Sequence, residues 1–149
     1  MAGMNVPDSL NSIISSFSQA PEQLKLPLLL EYAGKVRDLP ERYSEREGME
    51  QVHECQTPFF LAVEAGGDGS VNMFFSTPEE APTTRGFAGI LQEGLDGRTQ
   101  AEILAVPADF YLELGLADLI SPLRLRGMEA ILGRLKRQVR DLEGGGADA

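Results

Sequence analysis

Residues 59–75 read FFLAVEAGGDGSVNMFF, two apolar segments separated by a glycine-rich one. The two apolar segments, residues 59–64 and 71–75, are short runs rich in aromatic and β-branched side chains, which favour strands. Between them, GGDG at residues 66–69 is a strong turn signal. The pattern predicts a β-hairpin with one face covered by helices. Residues 49–53 can supply a third strand, which would place Cys55 in the connection between strands.

Helical patterns precede the hairpin. Asp8 can cap a first helix whose apolar residues recur at positions 10, 13, 14 and 17, the spacing of one buried face. A second helix is expected from near Pro21 towards Asp38, with Pro27 as a kink or restart and Pro40 closing it. Helices therefore lie on the N-terminal side of the sheet.

Helices return after the hairpin. The last helix has the clearest start, with Ser121 as N-cap and Pro122 at the first position. Further helices are expected at residues 82–95, after the capping box of Thr99 and Glu102, and at residues 107–115. No repeat or linker interrupts the order, which predicts one α+β domain over residues 1–143, with helices around a small antiparallel sheet. Residues 144–149 (GGGADA) are expected to form a disordered tail.

Composition limits the function. The net charge of −10 argues against nucleic acids and anionic membrane surfaces as partners, because both require a basic footprint. No apolar stretch approaches the roughly 20 residues that span a bilayer. The first residues, MAGMN, lack the features of a signal peptide. A single unpaired cysteine fits a reducing compartment, so a cytoplasmic protein is expected.

Cys55 is the one cysteine of the chain and the principal candidate for chemistry. It lies between polar residues and a proline, on an expected exposed turn. One thiol cannot form an internal disulfide, nor can it supply the several ligands of an iron–sulfur cluster or a closed zinc site. It is therefore a nucleophile, a carrier of a group attached through sulfur, or a small apolar residue without a chemical role.

Two further side chains are candidates for the same site. His53 could act as a general base for Cys55, or it could be a solvated loop residue. Arg124 falls in the first turn of the last helix, where the helix dipole disfavours a cation. A cation at such a position can stabilise a thiolate, although a solvated arginine is an equally good interpretation. No metal site is expected from a single histidine and a single cysteine.

Two segments carry a resemblance to a known family. Residues 52–60, VHECQTPFF, resemble the active-site segment of the SufE family, which typically has Gly-Cys-Gln-Ser after a hydrophobic residue and an aromatic residue shortly after. Residues 120–131, ISPLRLRGMEAI, resemble its C-terminal segment, in which a Thr/Ser-Pro-x-Arg-x-x-Gly run opens the last helix. The similarity covers roughly residues 20–142, in order and without large gaps.

The resemblance implies a SufE/IscU-like fold and a sulfur-transfer function. SufE-like proteins accept sulfane sulfur from a SufS-like cysteine desulfurase as a persulfide on one essential cysteine. They pass it to an iron–sulfur scaffold such as the SufBCD complex. For this chain, both a monomer and a homodimer are left open. The resemblance assigns no bound cofactor, since the pyridoxal phosphate belongs to the desulfurase. It assigns the sulfur to Cys55, support of the sulfur to Arg124, and loop roles to His53, Glu54, Gln56 and Thr57.

Glu54 is the departure from the family pattern with chemical consequences, because it stands where glycine is expected. A neighbouring carboxylate raises the pKa of a thiol and reduces its thiolate fraction. Thr57 and Phe60, in place of serine and tryptophan, keep the chemistry. The Glu54 change leaves open an alternative function, in which the protein binds a desulfurase or scaffold as a non-catalytic adaptor without carrying sulfur.

Overall fold

The computed structural model describes the backbone of residues 6–148 and the side chains of residues 6–142. Its sheet has three antiparallel strands, β1 (Glu50–Gln51), β2 (Phe60–Ala65) and β3 (Val71–Ser76), in the order β1-β2-β3. The predicted hairpin is confirmed, with Phe60 opposite Ser76 and Ala65 opposite Val71. The third strand is shorter than the expected residues 49–53, because the chain turns away from β2 directly after residue 52.

Five α-helices pack on this sheet or on one another in the described part of the chain. They are α1 (Asp8–Gln19), α2 (Glu22–Ala33), α3 (Pro82–Leu95), α4 (Gln100–Leu104) and α5 (Pro122–Asp148). Helix α5 packs on β2, α3 contacts both β3 and α5, and α1 and α2 pack on α3. The predicted α+β architecture is therefore confirmed, and the apolar face of α5 forms part of its core.

Three helix boundaries differ from the sequence-based expectations. Asp8 is the first residue of α1 and Pro7 is its N-cap, so Asp8 does not cap the helix through its side chain. Helix α2 ends at Ala33, well before Asp38, because Gly34 forms its C-cap. The helix expected at residues 107–115 is a shorter 3₁₀ helix, Phe110–Leu114, whose end at Gly115 has a φ of 74°. A glycine accepts that left-handed conformation without strain.

The contact between α2 and α3 is unusually close. A Cβ atom added to Gly89 would lie 1.8 Å from the carbonyl oxygen of Tyr32, and one added to Gly86 would lie 2.5 Å from that of Leu29. Real Cβ atoms do not approach backbone atoms so closely, so these two glycines allow the helix backbones to meet. The position of α3, whose first residues border the candidate site, therefore depends on them.

Two predicted helix caps are present. Thr99 and Glu102 form a complete capping box at the start of α4. The Arg124 backbone N–H donates a 3.3 Å hydrogen bond to Ser121 Oγ, which caps the start of α5. Ser121 thus fixes the helix start that carries Arg124.

The C-terminal boundary remains a prediction. The backbone of α5 continues to Asp148, whereas the sequence predicts disorder over residues 144–149. Side chains beyond residue 142 and the whole of residue 149 lie outside the described residues. Within residues 6–148, no helix combines the length and apolar character needed to cross a membrane.

Candidate functional site

Cys55 lies in a tight loop that connects β1 to β2. The Val52 N–H donates to the Phe59 carbonyl at 2.8 Å, and the Cys55 N–H donates to the Val52 carbonyl at 3.2 Å. Val52 and Phe59 are both buried, so the ends of the loop are fixed in the core. The connection between strands is as predicted, and His53, Glu54 and Gln56 of this turn are exposed as expected, whereas the side chain of Cys55 itself is half-buried.

The sulfur of Cys55 is turned towards α5. Its Sγ lies 4.0 Å from the carbonyl oxygen of Gly127. A Cβ atom added to Gly127 would lie only 3.3 Å from that sulfur, closer than most side-chain contacts allow. Gly127 therefore makes the space that lets the thiol pack against the helix.

A cavity of about 140 Å³ adjoins this thiol. Three segments form its wall: the cysteine loop, the start of α3 and the start of α5. The lining residues are Cys55, Gln56, Thr57, Glu80, Ala81, Pro82, Thr83, Thr84, Leu123, Arg124 and Gly127. The fold thus brings Cys55 and Arg124, 69 positions apart in the numbering, to one cavity.

The electrostatic surroundings of the thiol disfavour its ionised form. Burial and, to a smaller extent, the Glu54 carboxylate raise the pKa of Cys55 to about 11, although the Arg134 cation acts in the opposite direction. The upward effect expected of Glu54 on the thiol pKa therefore has its physical basis in the structure. The cation that opposes it is Arg134, and the support of sulfur by Arg124 stays a prediction.

Arg134 of α5 is the centre of an ion-pair network beside Cys55. It donates to Glu50 at 2.7 Å and to Glu54 at 2.8 Å. Glu50 also accepts hydrogen bonds from Arg137 and from Gln138. Although partial burial opposes the shift, hydrogen bonds from Arg137, Gln138 and Arg134 lower the pKa of Glu50 to about 2. A hydrogen bond from its own backbone and the Arg134 guanidinium lower the pKa of Glu54.

Sequence reasoning missed Arg134. The signal that could have found it is helical periodicity, because Arg134 lies seven residues after Gly127. Residues seven apart lie two turns apart on the same side of a helix. With the cysteine loop against Gly127, a cation at position 134 is within reach of the carboxylate next to the cysteine.

The other predicted loop residues separate into two groups. Gln56 and Thr57 line the cavity with Cys55. His53 is exposed and is not part of the cavity wall, so its role as a base is only a prediction. Within the described residues, no group of three or more His, Cys, Asp or Glu side chains is placed to hold a metal ion.

The fold and site define a small α+β domain that presents one thiol beside a walled cavity. A family model described as SufE, Fe-S metabolism associated domain, matches residues 11–139. The chain belongs to the SufE family, which confirms the resemblance seen in the sequence.

Relatives with the same family name cover most of the chain. An uncharacterized SufE-like protein of Mycobacterium tuberculosis is 53% identical over 142 residues, which are 95% of this chain and 99% of that protein. SufE-like protein 1, chloroplastic/mitochondrial, of Arabidopsis thaliana is 29% identical over 93% of this chain, but the match covers 36% of its length. The solution structure of a hypothetical protein from Thermus thermophilus has a TM-score of 0.81 and 46% identity, over 91% of this chain and 96% of that one.

Proposed function

We propose that this protein is a sulfur acceptor and activator of a cysteine desulfurase, carrying sulfane sulfur as a persulfide on Cys55. The observation that carries the proposal is a single thiol, in a member of the SufE family, that faces a cavity whose wall also contains Arg124. The family is associated with iron–sulfur metabolism, and a carrier needs only one cysteine, whereas a cluster scaffold needs several.

The proposed transfer is a thiol–persulfide exchange. The Cys55 thiolate attacks the outer sulfur of a cysteine persulfide on the desulfurase. A new S–S bond forms to Cys55 Sγ, the S–S bond of the partner's persulfide breaks, and the partner's cysteine leaves as a thiolate. The proton that Cys55 loses neutralises that leaving thiolate. No external oxidant or reductant is needed, because the sulfane sulfur keeps its oxidation state.

The cavity is large enough for the product. About 10–15 Å³ of such free space is enough for one water molecule, so a cavity of about 140 Å³ has room for one additional sulfur atom. Arg124 at its wall would stabilise the persulfide anion. The outer sulfur would then lie between the cysteine loop and the first turns of α3 and α5.

The raised thiol pKa fits an acceptor that reacts only when docked. With a pKa of about 11, only about one thiol in ten thousand is ionised near neutral pH. A desulfurase that displaces the Glu54 carboxylate or supplies a cation would increase that fraction. The free protein would meanwhile be slow to react with other electrophiles.

The proposed partners follow from this chemistry. A SufS-like desulfurase, which holds the pyridoxal phosphate, would supply the sulfur, and a scaffold such as the SufBCD complex would receive it. A lone thiol without a disulfide partner in the chain fits a reducing compartment, so we propose a cytoplasmic location.

The experiment that tests this function is desulfurase turnover with the parent protein and with Cys55→Ser. Cysteine is the substrate, and alanine formation is the readout. The parent should increase turnover in proportion to its concentration until saturation, and Cys55→Ser should give no increase. Equal stimulation by Cys55→Ser would exclude sulfur acceptance and leave the adaptor function.

A further inference from the structure

Helix α5 holds the cysteine loop at two points. At Gly127, the helix receives the Cys55 sulfur. At Arg134, two turns and about 10 Å further along the axis, it binds the carboxylate of Glu54 at 2.8 Å. Cys55 and Glu54 are adjacent in the chain, so a loop that leaves one contact disturbs the other.

The two carboxylates bound by Arg134 are not held equally. Glu50, on β1, has Arg137 and Gln138 as further hydrogen-bond donors, and its side chain is 23% exposed. Glu54, on the loop, is 45% exposed, and Arg134 is its ion-pair partner. If the loop moves, the contact between Glu54 and Arg134 can therefore open while Glu50 stays bound and β1 stays in place.

We propose that the ion pair between Glu54 and Arg134 is a latch that holds Cys55 in its inward position against α5. In the closed position the sulfur faces Gly127 and the cavity. When the latch opens, the part of the loop around Glu54 separates from α5, and the sulfur becomes accessible to a partner protein. Arg134 is thus a positioning residue, since it acts on the sulfur through Glu54.

The latch affects sulfur transfer only if Cys55 is the acceptor, as proposed above. A desulfurase could open it by offering a cation to Glu54 or an anion to Arg134. Alkylation of Cys55 in the free protein requires no desulfurase and no persulfide. Failure of the latch and failure of sulfur acceptance are therefore distinguishable.

The direction in which Arg134→Gln changes the alkylation rate of Cys55 distinguishes a latch from a simple charge effect. Arg134 lowers the pKa of Cys55, so its removal by Arg134→Gln should slow alkylation near neutral pH if Arg134 acts by charge alone. A latch predicts the opposite, because the released loop exposes the thiol. We expect alkylation to be about two- to fivefold faster, because loss of an ion pair of this exposure should increase the population of the open loop by about that factor. Slower or unchanged alkylation would overturn the proposal.

Arg137→Gln is the matched control for the fold. Arg137 binds Glu50, as Arg134 does, but it has no contact with Glu54 among the described ion pairs. It should alkylate at the parent rate. Arg134→Lys, which keeps a cation near Glu54, should lie between the parent and Arg134→Gln. Acceleration of Arg137→Gln equal to that of Arg134→Gln would assign the effect to Glu50 and overturn the latch.

Glu54→Gln tests the same latch if Arg134→Gln does not fold. In this variant we expect the thiol to be both more ionised and more exposed. Two reagents, small iodoacetamide and a bulky dye-linked maleimide, separate these two effects. A change in ionisation accelerates both reagents equally, because both react with the thiolate. A released loop accelerates the bulky reagent about two- to fivefold more than the small one. Equal acceleration of the two reagents would overturn the latch.

Discussion

The contact between α2 and α3 and the contact between α5 and the cysteine loop are built in opposite ways. In the first, Gly89 and Gly86 let two helix backbones meet with no space for even one more methyl group. In the second, a half-buried thiol lies beside an open cavity, and surface ion pairs hold the loop. Both contacts depend on glycines of a helix, but only the second leaves room for another atom.

The difference indicates that the α2–α3 contact stabilises the fold, whereas the contact between α5 and the cysteine loop surrounds the reactive thiol. Close apolar packing gives a stable position to α3, whose first residues form one wall of the cavity. Exposed ion pairs contribute little to stability and can rearrange when a partner binds. Substitutions in the first region should therefore change unfolding, and substitutions in the second should change the chemistry of sulfur.

The largest expected effect is that of Gly89→Ala. Its new methyl group would overlap the Tyr32 carbonyl, so α2 must move away from α3. Overpacking that shifts backbone should cost about 3 kcal/mol in the free energy of unfolding, measured by urea denaturation. Gly133→Ala is the control, because a Cβ atom there meets nothing within 4 Å. It should instead gain about 0.5–1 kcal/mol from helix propensity. Equal stability changes of the two variants would contradict this account of the α2–α3 contact.

Glu50, which shares Arg134 with the cysteine loop, should make the free energy of unfolding depend on pH. Its folded pKa of about 2 lies below its ordinary value of 4.5, so its contribution is complete above that ordinary value. The contribution is lost as the pH falls through the folded pKa. Glu50→Gln should cost about 1–2 kcal/mol at neutral pH, after allowance for solvent screening. That difference from the parent should shrink towards zero near pH 2, as followed by urea unfolding across the pH range.

An exposed carboxylate on α5 provides the control for Glu50. Glu129→Gln should give a stability curve parallel to that of the parent. A difference between Glu50→Gln and the parent that stays constant with pH would show that the ion-pair network does not hold Glu50 ionised.

Arg124→Ala should affect sulfur without affecting the fold. The side chain is exposed at the start of α5, so unfolding should change by no more than about 0.5 kcal/mol. Loss of a cation from the cavity wall should reduce sulfur acceptance about threefold to tenfold, measured as persulfide formed per minute. Arg126→Ala, a substitution outside the cavity lining, should behave like the parent. Equal acceptance by Arg124→Ala and the parent would make Arg124 a solvated surface residue.

The smallest effect is expected for the titration of the thiol in Glu54→Gln. Because the Glu54 carboxylate raises the pKa of Cys55, its neutral replacement should move the titration of the thiol to lower pH. The ultraviolet absorbance of the thiolate measures that midpoint. Glu47→Gln, which removes an exposed carboxylate ahead of β1, should leave it unchanged. An unchanged midpoint in Glu54→Gln would show that Arg134 already cancels the Glu54 charge at the sulfur.

The sequence predicted most of the fold because local signals agree with the final structure. The hairpin, α3, the capping box of α4 and the start of α5 each have turn, cap or period signals within a few residues. The end of α2 at Ala33 was not predicted, since the apolar pattern continues beyond it while Gly34 ends the helix. The 3₁₀ geometry of Phe110–Leu114 likewise has no distinct sequence signal.

The site could be predicted only in part. Cys55 and Arg124 were found because each lies in a recognisable segment, and their meeting at one cavity follows from the fold. The burial of the thiol and the pairing of Glu54 with Arg134 depend on how the loop lies against α5. These two contacts join residues 72 and 80 positions apart, and charge alone does not specify them.

Persulfide formation on Cys55 can be measured as the intact mass of the protein after incubation with a desulfurase and cysteine. We expect one added sulfur atom, about 32 Da, per chain of the parent, removed by reductant and mapped by peptide analysis to Cys55. Cys55→Ser should show no increase. A parent protein that stimulates the desulfurase without gaining this mass, under conditions in which the desulfurase itself carries a persulfide, would contradict the account.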